Sequence, residues 1–314
     1  MNVKNRTIAT EFILLGFSTN LSINILLFVL FLANYIVTLG GNVLIMWLIL
    51  INPQLHIPMY FFLCILSFLD LCTSSSVVPR LLVDFFSTRR SISLGACALQ
   101  FYTVLLMSGT ESLLLALMAY DRYVAICRPL HYPVLMRWRT CYSLTALMWT
   151  VSFMVFIIPA LSMPLDLCYP NRINHFMCES LAVMQLACDD IFANEVVMFM
   201  TCLIALFFPF AFVIVSYACI ISSVLKIHST GRSKAFSTCT SHITVVALSY
   251  GTSMIMYFSP SSQYSTNHGK YLSLFSFIIC PSLNPLIYTL NNKDVKVTIK
   301  KYFLLPSRGW KMPM

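Results

Sequence analysis

The sequence predicts an all-α protein, a bundle of seven membrane-crossing helices followed by a short amphipathic helix on the cytoplasmic side. Three observations lead there. Hydrophobic residues make up 59% of the 314 positions and charged residues only 10%, a balance that excludes a soluble globular domain. Seven apolar stretches, each meeting the roughly twenty residues that a bilayer core requires, fall at about 24–50, 57–79, 94–121, 140–163, 195–225, 237–259 and 270–290. The loops between them divide the basic residues unevenly, which fixes an orientation.

In chain order, residues 1–23 form an extracellular tail. Its only apolar run, Phe12 to Phe17, is too brief for the core of a cleavable signal, so the first span is expected to act as its own anchor. The triplet Asn5-Arg6-Thr7 makes Asn5 a glycosylation candidate; Asn20-Leu21-Ser22 lies too close to the membrane for easy modification. Residues 24–290 carry the seven spans. With the amino terminus outside, thirteen of the twenty Lys and Arg (Arg122, Arg128, Arg137, Arg139, Lys226, Arg232, Lys234, Lys293, Lys296, Lys300, Lys301, Arg308 and Lys311) fall on the cytoplasmic face. The acids Asp166, Glu179, Asp189, Asp190 and Glu195 crowd the longest outer loop. Residues 291–314 follow the last span, with Lys293, Lys296, Lys300 and Lys301 set among Val295, Val297, Ile299 and Phe303, a pattern suited to lying along the inner leaflet. The net charge of +9 thus points to anionic membrane lipid and an intracellular partner; nucleic-acid binding would want a basic soluble domain.

Of twelve cysteines, eight lie in spans or near the cytoplasmic side, where small buried apolar residues are the ordinary use. Cys97, Cys168, Cys178 and Cys188 face outward, and spacing alone leaves three pairings open. His175-Phe176-Met177-Cys178-Glu179 superficially resembles a metal site, but a disulfide-bonded sulfur is a poor ligand, and no metal is expected there.

Helical spacing connects the two ends of the third span. Val104, Ser108, Glu111, Leu115 and Arg122 recur at intervals that share one face, and its polar members require that this face look into the bundle. Ser108 stands about 21 Å above Arg122 at 1.5 Å per residue. Asp70 and Glu111 are acids at membrane depth and too expensive to leave bare. They are either protonated carboxyls bonded to Asn42 or Asn284, or an ion site.

The motifs narrow the class. Met118-Ala119-Tyr120-Asp121-Arg122-Tyr123-Val124-Ala125-Ile126-Cys127 closes the third span. Gly41-Asn42 sits in the first span, and Leu55-His56-Ile57-Pro58-Met59-Tyr60-Phe61-Phe62-Leu63 opens the second. Ser216-Tyr217 lies low in the fifth, Lys234-Ala235-Phe236-Ser237-Thr238-Cys239-Thr240-Ser241-His242 begins the sixth, and Pro281-Ser282-Leu283-Asn284-Pro285-Leu286-Ile287-Tyr288 ends the seventh. In this order, from about Glu11 to Lys293, they resemble the odorant-receptor branch of the rhodopsin-like G-protein-coupled receptors. Ile57 stands where that family usually has Thr, and Ser249 where an aromatic is commoner; neither removes a switch residue.

The resemblance implies pairings Cys97 with Cys178 and Cys168 with Cys188, and a switch made of Asp121, Arg122, Tyr123, Tyr217, Asn284, Pro285 and Tyr288. It implies a sodium or proton site at Asp70, Glu111, Asn42 and Asn284, with no other cofactor. Ligand contacts are implied at Val104, Leu105, Ser108, Gly109 and Ser112, at Thr201 and Cys202, at Tyr250, Ser253, Met254 and Tyr257, and at Phe277. That set is apolar with a few hydroxyls and carries no charge, which suits a small volatile having one hydrogen-bonding group. Val104 stands where amine receptors place Asp, and Ile278 where opsins place the retinal Lys. The family further implies a stimulatory olfactory-type G protein, cyclic AMP as output, and the plasma membrane of olfactory cilia. A transporter would show internal repeats or a charged midplane pathway, and an enzyme would gather a nucleophile with a base or a metal cluster. The six histidines are instead scattered.

Overall fold

The computed structural model describes residues 10–18, 20–162, 166–188, 190–226, 229–258, 268–291 and 293–304. The Asn5 sequon, Lys4, Arg6, Asp189, Arg308 and Lys311 lie outside the described residues, as do the side chains of Arg232, Lys234 and Lys293.

Seven long helices form the bundle: α1 (Leu21–Ile51), α2 (Pro58–Asp84), α3 (Leu94–Cys127), α4 (Trp138–Ser162), α5 (Phe192–Leu225), α6 (Ser229–Phe258) and α7 (268–291). A short helix α8 (293–304) follows. Six of the seven are long and apolar enough to cross a membrane. The exception is α6, whose inward side carries Ser241, His242, Ser249 and Ser253.

Helix ends follow local chemistry. The Asn20 side chain accepts from the amides of Ser22 and Ile23 and starts α1 ahead of its apolar window. The Arg80–Asp84 pair at 2.8 Å carries α2 a turn past its own. Three of the seven bundle helices contain a π-helical turn, at Phe153–Ile157, Leu203–Phe207 and Phe275–Ile279, each ending two residues before a proline (Pro159, Pro209, Pro281). Proline offers no N–H and crowds the carbonyl four residues back, so the ladder widens there. Two carbonyls orphaned in this way find side-chain donors. Ser112 Oγ donates to the Ala205 carbonyl at 3.0 Å, four residues before Pro209. Asn42 Nδ2 donates to the Pro281 carbonyl at 3.0 Å, four residues before Pro285. Gly41 makes the second contact feasible, because a Cβ there would stand 2.9 Å from the Pro285 ring.

α3 runs through the centre, against α2, α4, α5 and α6, while α1 packs on α2 and α7. Large apolar side chains such as Leu26, Ile36, Leu50, Phe208 and Val215 point outward and exposed, as lipid-facing positions do. α8 docks on α1 through Asn52 Nδ2, which donates to Thr298 Oγ1 at 2.9 Å, and through Trp47 edge-on to Tyr302. Val295 is buried against the bundle and Val297 is exposed, so the segment is two-faced.

The end that carries the disulfides is called the outer end. There a three-stranded sheet, in order β2-β1-β3, joins β1 (Glu11–Leu14), β2 (Ser91–Ser93) and β3 (Arg172–Ile173). β1 runs antiparallel to β2, with Phe12 opposite Ile92, and parallel to β3, with Leu14 opposite Ile173. Phe12, Leu14, Ile92 and Ile173 form an apolar cluster around the Cys97–Cys178 bond. Glu11–Leu14 of the tail is therefore held in place, because Phe12 and Leu14 alternate inward and have a place to be buried.

Candidate ligand chamber and helix switch

The outer half of the bundle holds two adjoining cavities. The inner one, about 90 Å³, is lined by Val104, Leu105, Ser108, Gly109, Ser112, Thr201, Cys202, Ser253, Tyr257 and Phe277, ten of the twelve positions expected from sequence. The outer one, about 290 Å³, lies among α3, α4, α5 and the loop before α5, and Phe12 of β1 forms part of its wall. Phe101, Leu105, Phe156, Ser180, Met198 and Thr201 border both, so the two make one chamber. Gly109 sets its depth, since a Cβ there would lie 2.2 Å from the Phe156 ring.

Two expected contacts sit elsewhere. Tyr250 lines a smaller space beneath, with Glu111 and Ser249, and its hydroxyl donates to the Ser112 carbonyl at 2.5 Å. Met254 packs on the inner core. The expected set carries no charge, but the chamber wall includes a residue outside that set, Glu179. Sequence alone could not bring it there, because the Cys97–Cys178 bond folds the loop over the bundle. The Cys178 amide also donates to Gln100 Oε1 on α3 at 2.9 Å. The second disulfide joins Cys168 to Cys188.

Glu179 is 4% exposed. Its Oε2 accepts from the amides of Leu181 and Ala182, at 3.0 and 3.3 Å, and caps the turn Ser180–Met184. Burial raises its pKa to about 7, against the pull of those amides. His175 stacks on Phe176, and its Nδ1 accepts from the Met177 amide. Burial first, and the positive Lys270 second, lower its pKa to about 3, so the ring is neutral.

Below the chamber, Asn284 Nδ2 donates to both oxygens of Asp70, at 3.1 and 3.0 Å, and Ser249 donates to Glu111 at 3.0 Å. Asn42 takes no part among these contacts. Its amide nitrogen serves the Thr38 and Pro281 carbonyls, which corrects its expected place beside the acids.

At the inner end of α3, Arg122 lies 3.5 Å from Asp121, and Tyr132 donates to the same carboxylate at 2.8 Å. Tyr123 is half-buried against the inner core. Tyr288 is buried with its hydroxyl unpartnered among the described residues. Tyr217 meets His242 Nδ1 at 2.8 Å, and His242 Nε2 meets the Leu115 carbonyl at 3.1 Å. A carbonyl can only accept, so Nε2 carries the proton and Nδ1 accepts from the Tyr217 hydroxyl. His242 thereby clasps α3, α5 and α6 together, a role its place at the end of a motif did not announce.

The olfactory receptor family model matches residues 31–305. Olfactory receptor 2B2 of Homo sapiens is 45% identical over 96% of this chain and 85% of its own length, and human olfactory receptor 13C9 is 44% identical over 98% of each. This chain belongs to the olfactory receptor family. The structure also resembles that of squid rhodopsin, with a TM-score of 0.66 at 16% identity over 92% of this chain and 87% of that one, which supports the seven-helix fold. The olfactory receptor is thus a multi-pass membrane protein of a receptor family and not of an enzyme family. Its candidate chamber and candidate switch share the single helix α3.

Proposed function

We propose that this olfactory receptor binds a small, mostly apolar volatile in the chamber and passes its occupancy to a stimulatory olfactory-type G protein, raising cyclic AMP. The amino terminus would face outside and the carboxyl terminus the cytoplasm, in the plasma membrane of olfactory cilia. The observation that carries this is the His242 clasp. A ligand that binds better when α6 swings outward shifts the population by that difference in affinity, and the swing must part His242 from both Leu115 and Tyr217. Arg122 then leaves Asp121 and, with Tyr217 and Tyr288, opens a crevice for the tail of the G-protein α-subunit. A diverse volatile panel in cells reporting cyclic AMP tests the reading, and the absence of any responding volatile counts against it. His242→Ala removes the clasp while leaving the chamber walls in place, so ligand-free cyclic AMP should rise several-fold, by about a factor of ten if roughly 1.4 kcal/mol is released. An unchanged basal level refutes the clasp.

The acid pair suits a proton better than sodium. A sodium ion needs several oxygen lone pairs, but Asn284 turns its nitrogen to Asp70, and of the two asparagines Asn42 alone keeps a buried carbonyl oxygen without a partner among the described residues. Replacing external sodium with choline should leave the activation curve in place, whereas Glu111→Gln should move it. A sodium-dependent curve reverses the assignment.

A further inference from the structure

We propose that Glu179 is the polar anchor of the chamber and selects volatiles whose polar end donates a hydrogen bond, with alcohols favoured over ethers of the same shape. The proposal rests on the chamber being the ligand site. Glu179 lines the inner cavity at 4% exposure. One oxygen is consumed by the Leu181 and Ala182 amides, while Oε1 has no partner among the described residues. A buried acceptor left unpaired is costly, and the residue that keeps this one lines a cavity from which a donor can reach it. Glu179 is also the one charged side chain lining that cavity among the described residues. The rest of the wall, including Phe101, Phe156 and Phe277, offers apolar surface for a hydrocarbon body.

Direction follows from the geometry. As a carboxylate, Oε1 can only accept, and a hydroxyl supplies the missing donor. When the carboxyl is neutral the proton sits on Oε1, because Oε2 already receives two amides, and the group then donates to an ether or a carbonyl equally well. With a pKa near 7, the wall changes preference across the range in which the outer medium can be set. The Cys202 thiol on α5 is the titratable group that faces it, and His175 in the same loop is already neutral.

The test uses full-length receptor in cells, with pairs of straight-chain alcohol and methyl ether of about six to ten carbons, and benzyl alcohol with benzyl methyl ether. At about pH 8 the alcohol should act at a concentration about tenfold to a hundredfold below its ether, and the gap should narrow at about pH 6. In Glu179→Gln the side-chain oxygen must serve the two amides, so an N–H faces the chamber. The ether should then gain on the alcohol, and the pH effect should vanish. The wild-type pH series needs no variant and stands even if Glu179→Gln fails to reach the surface. Alcohol and ether acting alike on the wild type at both pH values overturns the anchor alone, as does a preference that survives Glu179→Gln. No response to either member of any pair overturns the anchor and the chamber reading together.

Discussion

Arg122→Ala reduces the cyclic AMP response to that of cells lacking the receptor, while the protein still reaches the surface. Removing the guanidinium leaves Asp121 with the Tyr132 hydroxyl at 2.8 Å, so the carboxylate is not stranded and the inner end keeps its packing. The pair is largely buried, with side chains 13% and 2% exposed, and the Tyr132 hydroxyl limits the cost of removing its cationic partner. On the proposed mechanism, what the variant loses is the long cationic arm that would leave Asp121 and meet the incoming α-subunit tail. The loss should therefore fall on signalling and spare folding. Surface labelling and cyclic AMP measured on the same cells separate the two, and a retained response shows that some other group carries the signal.

Cys97→Ser removes most of the folded receptor from the surface. The Cys97–Cys178 bond spans 81 residues of sequence, and the chain-entropy model assigns a loop of that size about 4–5 kcal/mol. The 20-residue separation of Cys168 and Cys188 corresponds to about 3 kcal/mol. The larger bond also centres the cluster of Phe12, Leu14, Ile92 and Ile173 and holds Glu179 at the chamber. Surface receptor should thus fall further for Cys97→Ser than for Cys168→Ser, by flow cytometry of non-permeabilised cells. The reverse order contradicts the ranking.

Hydropathy made the spans legible, since lipid imposes one long apolar run per crossing. The edges were less so, because Asn20 and the Arg80–Asp84 pair extend helices by polar contacts that an apolar window cannot register. Prolines were visible in the sequence, but which side chain would satisfy each freed carbonyl depends on a neighbouring helix; Ser112 and Asn42 acquire that role only after packing. Ten of the twelve positions that the family resemblance implied line the inner cavity; only those on α3 also lie on a helix whose rotation its own polar stripe fixes. Tyr250 and Met254 lie on α6 beside Ser253 and Tyr257, which do line the cavity; Tyr250 instead turns its hydroxyl to the Ser112 carbonyl and Met254 packs on the inner core. Glu179 and β1 escaped notice for a common reason: their positions come from pairing with residues distant in sequence, and no local pattern encodes that.

Because β1 is knitted by backbone bonds to both the α2–α3 turn and the loop before α5, with Ile13 donating to Asn171 and Leu14 to Arg90, Glu11–Leu14 is architecture and not a leash. Exchanging it between relatives, or grafting a trafficking tag across residues 10–16, rebuilds a wall of the chamber to which Phe12 contributes, and altered tuning in such chimeras would report on the graft as much as on the receptor.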